Sequence, residues 1–152
     1  MRLAAAILAF FFLIAPGLVP GVSAAPNFPA LTGRVVDDAH ILSDTTKQDM
    51  TQKLAALEAK TSRQLIVVTL PSLQGYEISD YGYQLGRAWG IGQAKLNNGV
   101  LFIIAPNEHR TRIEVGYGLE PIVTDALSSI IIQTKVLPAF RKGDFNAGVV
   151  AG

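Results

Sequence analysis

Five carboxylates stand where an α/β chain gathers oxygen ligands. Asp37 and Asp38 close a short β-branched run, Glu114 lies within another, Glu120 follows the end of that run, and Asp125 opens a helix-forming stretch. In an open α/β sheet, strand ends and helix starts meet along one rim, which is where ligands are held. Acids crowded there repel one another until a cation neutralises them, and all-oxygen donors suit Ca²⁺ or Mg²⁺. Each acid also has a plainer role. Asp125 suits the first turn of a helix, Asp38 can cap the turn before Ala39, and Glu114 can pair with Arg110 or Arg112.

The other chemistry-bearing residues are sparse. His40 and His109 are the only histidines and lie far apart, which suits surface or capping positions better than ligands or general bases. There is no cysteine, so disulfides, thiolate metal sites and cysteine nucleophiles are excluded. No G-x-S-x-G elbow, Walker loop, H-E-x-x-H pair or EF-hand loop occurs. Gly116-Tyr117-Gly118 follows a strand, but Pro121 stands at the third glycine position of a dinucleotide fingerprint. A tight turn leaving the strand is the better reading, and no nucleotide cofactor is expected. Trp89 and Tyr117 fit core and turn packing better than a pocket wall.

The elements that must position these residues follow from patterning. Arg34 to Val36 is a brief strand, and Ser43 caps a helix to about Thr61 whose buried stripe is Met50, Leu54 and Leu57. Leu65 to Leu70 and Val100 to Ala105 are short apolar, β-rich runs, read as buried strands. Between them Ile78 to Trp89 suits a helix starting near Glu77 or Ser79, with Gly82, Gly86 and Gly90 clearing one face for close approach. Arg112 to Val115 forms a third strand of this group, joined across Asn107 to Arg110 as an antiparallel hairpin. Thr124 caps a helix over Leu127, Ile130 and Ile131, and Pro138 interrupts the helical pattern beyond it. Lys142-Gly143-Asp144 stops one helix and caps another at about Phe145. The sum is an α/β fold, a three-layer sandwich with a central mixed sheet flanked by helices.

The first 25 residues have a different character. Arg2 precedes an apolar run from Leu3 to Ile14, and Val22-Ser23-Ala24 ends the segment with small residues. Positive start, short apolar centre and small-residue exit read as a cleavable secretory signal, with an uncleaved anchor the runner-up because the run is shorter than a span of roughly 20 apolar residues. Pro26 to Gly33 reads as an extended linker, and the domain runs from Arg34. The chain has 13 Lys+Arg and 12 Asp+Glu, and losing Arg2 leaves 12 of each. A balanced surface gives no case for nucleic acid or an anionic membrane as a partner. Because the last capped helix has hardly begun at Gly152, the chain is expected to be the head of a longer protein.

Four motifs in order make the chain resemble the TPM domain family from about Phe28 onward. They are Val36-Asp37-Asp38-Ala39-His40-Ile41-Leu42-Ser43; then Trp89-Gly90-Ile91-Gly92 with Asn97-Asn98-Gly99; then Arg112 to Glu120 with Thr124-Asp125-Ala126; and Phe140 to Phe145. The resemblance implies an exported sandwich domain at the periplasm or cell surface, commonly tethered to the membrane by a later segment. It implies work as an accessory to a membrane-protein complex, as for plant members in photosystem II repair and an animal member that is an auxiliary protein of acetylcholine receptors. It also implies divalent-cation binding, with Asp37, Asp38, Glu114, Glu120 and Asp125 as candidate ligands by position. A weak acid phosphatase activity is attributed to plant members. Departures from the family pattern are Asp37, where Asn is frequent, and His40 and Pro121, where Gly is frequent.

Three functions are compatible with these features, in this order of preference: a cation-binding accessory domain, a purely structural interaction module, and a metal-assisted phosphatase. The last lacks the residues of the familiar phosphatase loops, with only Arg110 and Arg112 near enough in sequence to steady a phosphoryl group.

Overall fold

The computed structural model describes residues 24–152. The segment read as an export signal therefore lies outside the described residues except for its last two. Among the described residues no helix is long and apolar enough to cross a membrane.

The apolar runs form a four-stranded sheet of β1 (Val35–Asp37), β2 (Gln64–Thr69), β3 (Gly99–Ala105) and β4 (Arg110–Val115), in the order β1-β2-β3-β4. The first three strands are parallel and β4 is antiparallel to β3, giving the expected mixed sheet. Every residue of β3 is buried, as are the last four of β2. Central strands covered on both faces read as unbroken hydrophobic runs for this reason.

Helices supply that cover. α2 (Ile78–Trp89) buries Tyr81 and Leu85 against Val36, Ile66, Val68, Leu101 and Ile103 on one face. On the other, α1 (Asp44–Thr61) brings Met50 and Leu54 onto Val67, Phe102 and Ile104. Ser43 caps α1 by accepting the Thr46 amide at 3.1 Å. Leu57, the third member of the expected stripe, is 37 % exposed; at that level the link to the sheet is the ion pair of Arg34 and Glu58 at 2.8 Å.

The same face is completed by the C-terminal helices. α3 (Asp125–Ile131) is capped by Thr124 and runs through a π-helical turn (Ile132–Val136) into α4 (Leu137–Phe140). The interruption expected at Pro138 does not occur. Pro138 falls in the first turn of α4, where a missing N–H is tolerated, and the wide turn before it absorbs the misfit. Leu127 and Ile130 also depart from expectation, at 40 % and 58 % exposed, because α3 turns Ser128 and Ile131 inward instead. Gly143 in the left-handed region and Asp144, accepting the Ala147 amide at 2.9 Å, end α4 and start α5 (Phe145–Ala151).

The extended segment before the domain is tied down. Asn27 exchanges two hydrogen bonds with the Gln74 side chain, at 2.9 and 2.7 Å. Phe28 meets Tyr81 edge to face at 5.2 Å, and the Trp89 indole N–H donates to the Pro29 carbonyl at 2.9 Å. Residues 27–29 thus strap both ends of α2, which gives Trp89 the packing role expected of it.

Candidate functional site

The register sets Asp37 and Glu114 toward opposite ends of the sheet. Asp37 is level with Thr69 and Ile104, at the ends of the parallel strands. Glu114 is level with Leu101 and Ile66, three residues back along β2. At about 3.3 Å per residue and 4.8 Å per strand, the two backbones are roughly 17 Å apart. They also face opposite sides: Asp37 follows Val36, which packs under α2, whereas Glu114 lies beside Gly82 of α2. Glu120 follows β4 at the Glu114 end, and Asp125 sits in the first turn of α3. Among the described residues no three His, Cys, Asp or Glu side chains come together as a metal cluster.

At the first end, Asp37 accepts three hydrogen bonds. One carboxylate oxygen accepts from the Ile41 amide at 3.1 Å and the Thr69 hydroxyl at 2.6 Å, and the other accepts from the Leu42 amide at 3.1 Å. Thr69 in turn accepts from the Ala39 amide at 3.1 Å. The turn around Ala39 is therefore held by Asp37, through the amides of Ile41 and Leu42, and not by Asp38. Asp38 is exposed, and its charge reaches the Tyr81 phenol, whose pKa is raised mainly by burial, secondly by Asp38, against a lowering hydrogen bond from Gln74. His40 sits in this turn at φ 54°, and His109 in the β3–β4 turn at φ 52°. Left-handed backbone explains why glycine is frequent at the first of these positions. Both histidines are turn residues.

At the second end, a cleft of about 470 Å³ opens between α2 and the end of β4. Gly82, Gly86 and Gly90 form the α2 wall, and Glu114, Tyr117 and Glu120 the opposite one. The glycine spacing has two causes. A Cβ on Gly82 would meet the Ile103 side chain at 2.6 Å and one on Gly86 would meet Leu101 at 3.3 Å, whereas Gly90 ends the helix at φ 61°. The floor is made by backbone packed on backbone. A Cβ on Gly92 would fall 2.5 Å from the Gly99 nitrogen, and one on Gly116 would fall 2.2 Å from the Asn97 carbonyl oxygen. Gly116 to Leu119 is a hydrogen-bonded turn at 2.8 Å, as the sequence suggested.

Charge in the cleft is unevenly committed. Glu114 takes the Arg112 guanidinium at 2.5 Å, the plainer role foreseen for it. Arg87 lies 5.7 Å over the Tyr83 ring and donates to its hydroxyl at 3.2 Å. Glu120 is exposed and has no ion pair among the described residues. Tyr117 is 71 % exposed and lines the cleft rather than packing its turn, and Tyr83 is 48 % exposed. Sequence reasoning passes over Tyr83 and Arg87, although their separation of four residues puts them on one helical face.

Comparison with known proteins matches this architecture. The TPM domain family model covers residues 35–152. The N-terminal domain of a protein from P. gingivalis is 37 % identical, with a TM-score of 0.73 over 79 % of this chain and 76 % of that one. Two further solved structures share the fold. The N-terminal domain of the cg2496 protein from Corynebacterium glutamicum is 21 % identical, with a TM-score of 0.62 over 86 % and 80 % of the two chains. The BA42 protein from Bizionia argentinensis is also 21 % identical, with a TM-score of 0.61 over 72 % and 74 %. A search of curated proteins finds no match. With its four motifs placed on this sheet and its matched span covering most of the sequence, the chain belongs to the TPM domain family.

Proposed function

We propose that this chain is an exported, membrane-tethered accessory domain that assists the assembly or maintenance of a membrane-protein complex, and that it holds its partner in the α2–β4 cleft. The observation that carries this reading is the lining of that cleft. Two exposed tyrosines and a carboxylate without an ion pair among the described residues surround a hollow whose floor is built from motif glycines. Aromatic residues exposed beside a concave surface favour recognition, since they offer much contact area at little entropic cost. A photo-crosslinking phenylalanine derivative at position 117 tests it in the cell that makes the protein. Irradiation is expected to join the chain to an integral membrane protein, while the same group at Gln52, exposed on α1, gives no such product. Equal yields from both positions would remove the cleft from the function.

A second reading keeps the divalent cation and narrows its ligands. Glu114 and Glu120 line one cleft, whereas Asp37 holds the turn at the other end of the sheet and Asp38 and Asp125 do not line the cleft. Calorimetric titration of Ca²⁺ or Mg²⁺ into the metal-free domain should give heat that Glu120→Gln abolishes. No heat at millimolar ion would end this reading. The phosphatase alternative has less support, because Arg112 is engaged by Glu114, and Arg110, level with Ala105 at the start of β4, does not line the cleft.

A further inference from the structure

Among the described residues, hydrogen bonding along β4 leaves one edge of the sheet open. The Gly116 amide donates to the Gly99 carbonyl at 2.8 Å, which fixes the phase of the antiparallel ladder. Pairs two residues further on then exchange hydrogen bonds with β3, so Glu114, Arg112 and Arg110 point their backbone groups inward. Thr111, Ile113 and Val115 point theirs away from β3. Among the described residues these outward N–H and C=O groups meet no partner. The cleft lies against the last part of this same strand, with Glu114 and Val115 in its wall.

From this we propose that the cleft takes an extended peptide segment, added to β4 as a fifth strand, and that Glu120 with Tyr117 selects a Lys or Arg side chain on it. The proposal rests on the partner-binding role assigned to the cleft and names the partner's chemistry. Strand addition supplies affinity through main-chain hydrogen bonds, and alternate side chains of the added strand enter the neighbouring groove. Gly82, Gly86 and Gly90 line the α2 side of the groove that those side chains would enter. The charge preference follows from what is left over. The preference is local to the β4 wall: Arg112 neutralises Glu114, the Arg87 cation is directed onto Tyr83 across the cleft, and Glu120 has no ion-pair partner among the described residues, with the exposed Tyr117 ring sharing its wall. A long aliphatic stem ending in a cation uses both groups at once.

The test uses two capped heptapeptides, Thr-Val-Thr-Lys-Thr-Val-Thr and its counterpart with Glu at the centre, added at millimolar concentration to the mature chain. Amide exchange read by NMR should slow about tenfold at Thr111, Ile113 and Val115, while Arg112 and Glu114, already bonded to β3, change little. The Lys peptide should bind about fivefold more tightly than the Glu peptide at low salt, and Glu120→Gln should bring that ratio close to one. A Lys peptide N-methylated at alternate residues keeps its side chains but loses ladder donors, and should not bind. Strand addition is overturned if the three amides stay unprotected or the N-methylated peptide binds as well. It is also overturned if those amides become protected without peptide as protein concentration rises, since a second copy then fills the edge. Loss of peptide binding with a surviving Tyr117 cross-link would overturn strand addition alone and leave the cleft's partner role standing.

Discussion

Replacing Asp37 by alanine is expected to lower the unfolding free energy by about 3 kcal/mol, and replacing it by asparagine by about 1 kcal/mol. The difference comes from how many donors lose their acceptor. Alanine strands the Ile41 and Leu42 amides together with the hydroxyl of Thr69, which is fully buried and cannot turn to water. Each buried donor without an acceptor costs about 1–3 kcal/mol, less where the turn can admit solvent. Asparagine keeps one oxygen for Thr69 and Ile41 and misses only Leu42. That graded loss fits the family pattern, in which asparagine is frequent at this position. An acceptor role tolerates the amide, whereas a cation ligand would miss the charge. Urea titration of the two variants, with and without a chelator, separates these roles. Equal losses for alanine and asparagine, or losses that vanish when divalent ions are removed, would show that the carboxylate's charge is what matters.

Asp37 also marks where sequence stops being sufficient. The elements are legible because their signals are local: apolar runs for β2 and β3, and capping side chains at Ser43, Thr124 and Asp144. The assembly of the acids is not. Gathering all five on one rim assumes that every strand ends at the same edge, which holds for β1 to β3. The β3–β4 hairpin, itself legible from the sequence, reverses the chain and carries Glu114 and Glu120 to the other edge. Only the residue-by-residue register shows how far apart that places them. The exposure of Leu127 and Ile130 is hidden for a related reason. Their spacing suits a buried stripe, and tertiary packing through Ile131 and Val136 chooses another face of the helix. Tyr83 and Arg87 escape because the glycines of α2 explain how closely that helix approaches the sheet, and say nothing of the side chains its open side presents.

The glycines of the two central motifs support the second large prediction. Gly116→Ala is expected to cost about 3 kcal/mol, the upper part of the range for overpacked sites. The added carbon would stand 2.2 Å from the Asn97 oxygen, 2.9 Å from its carbonyl carbon and 3.0 Å from the Gly99 oxygen. All three are backbone atoms, so no side chain can swing aside. The substitution must also strain the bond from the Gly116 amide to the Gly99 carbonyl, which sets the ladder of β3 on β4. Gly33→Ala is the matched control, since nothing lies within 4 Å of a Cβ there and the backbone is not left-handed. Denaturant titration should therefore leave Gly33→Ala near the parent protein and move Gly116→Ala to a much lower midpoint. If the two midpoints coincide, the loops at the cleft floor are not packed backbone to backbone. If they separate as expected, the glycines are required by shape alone, because they let two loops meet closely enough to form the floor on which Tyr117 and Glu120 stand. A motif of this kind fixes where the ligand-facing side chains are presented, and leaves the choice of ligand to the residues around it.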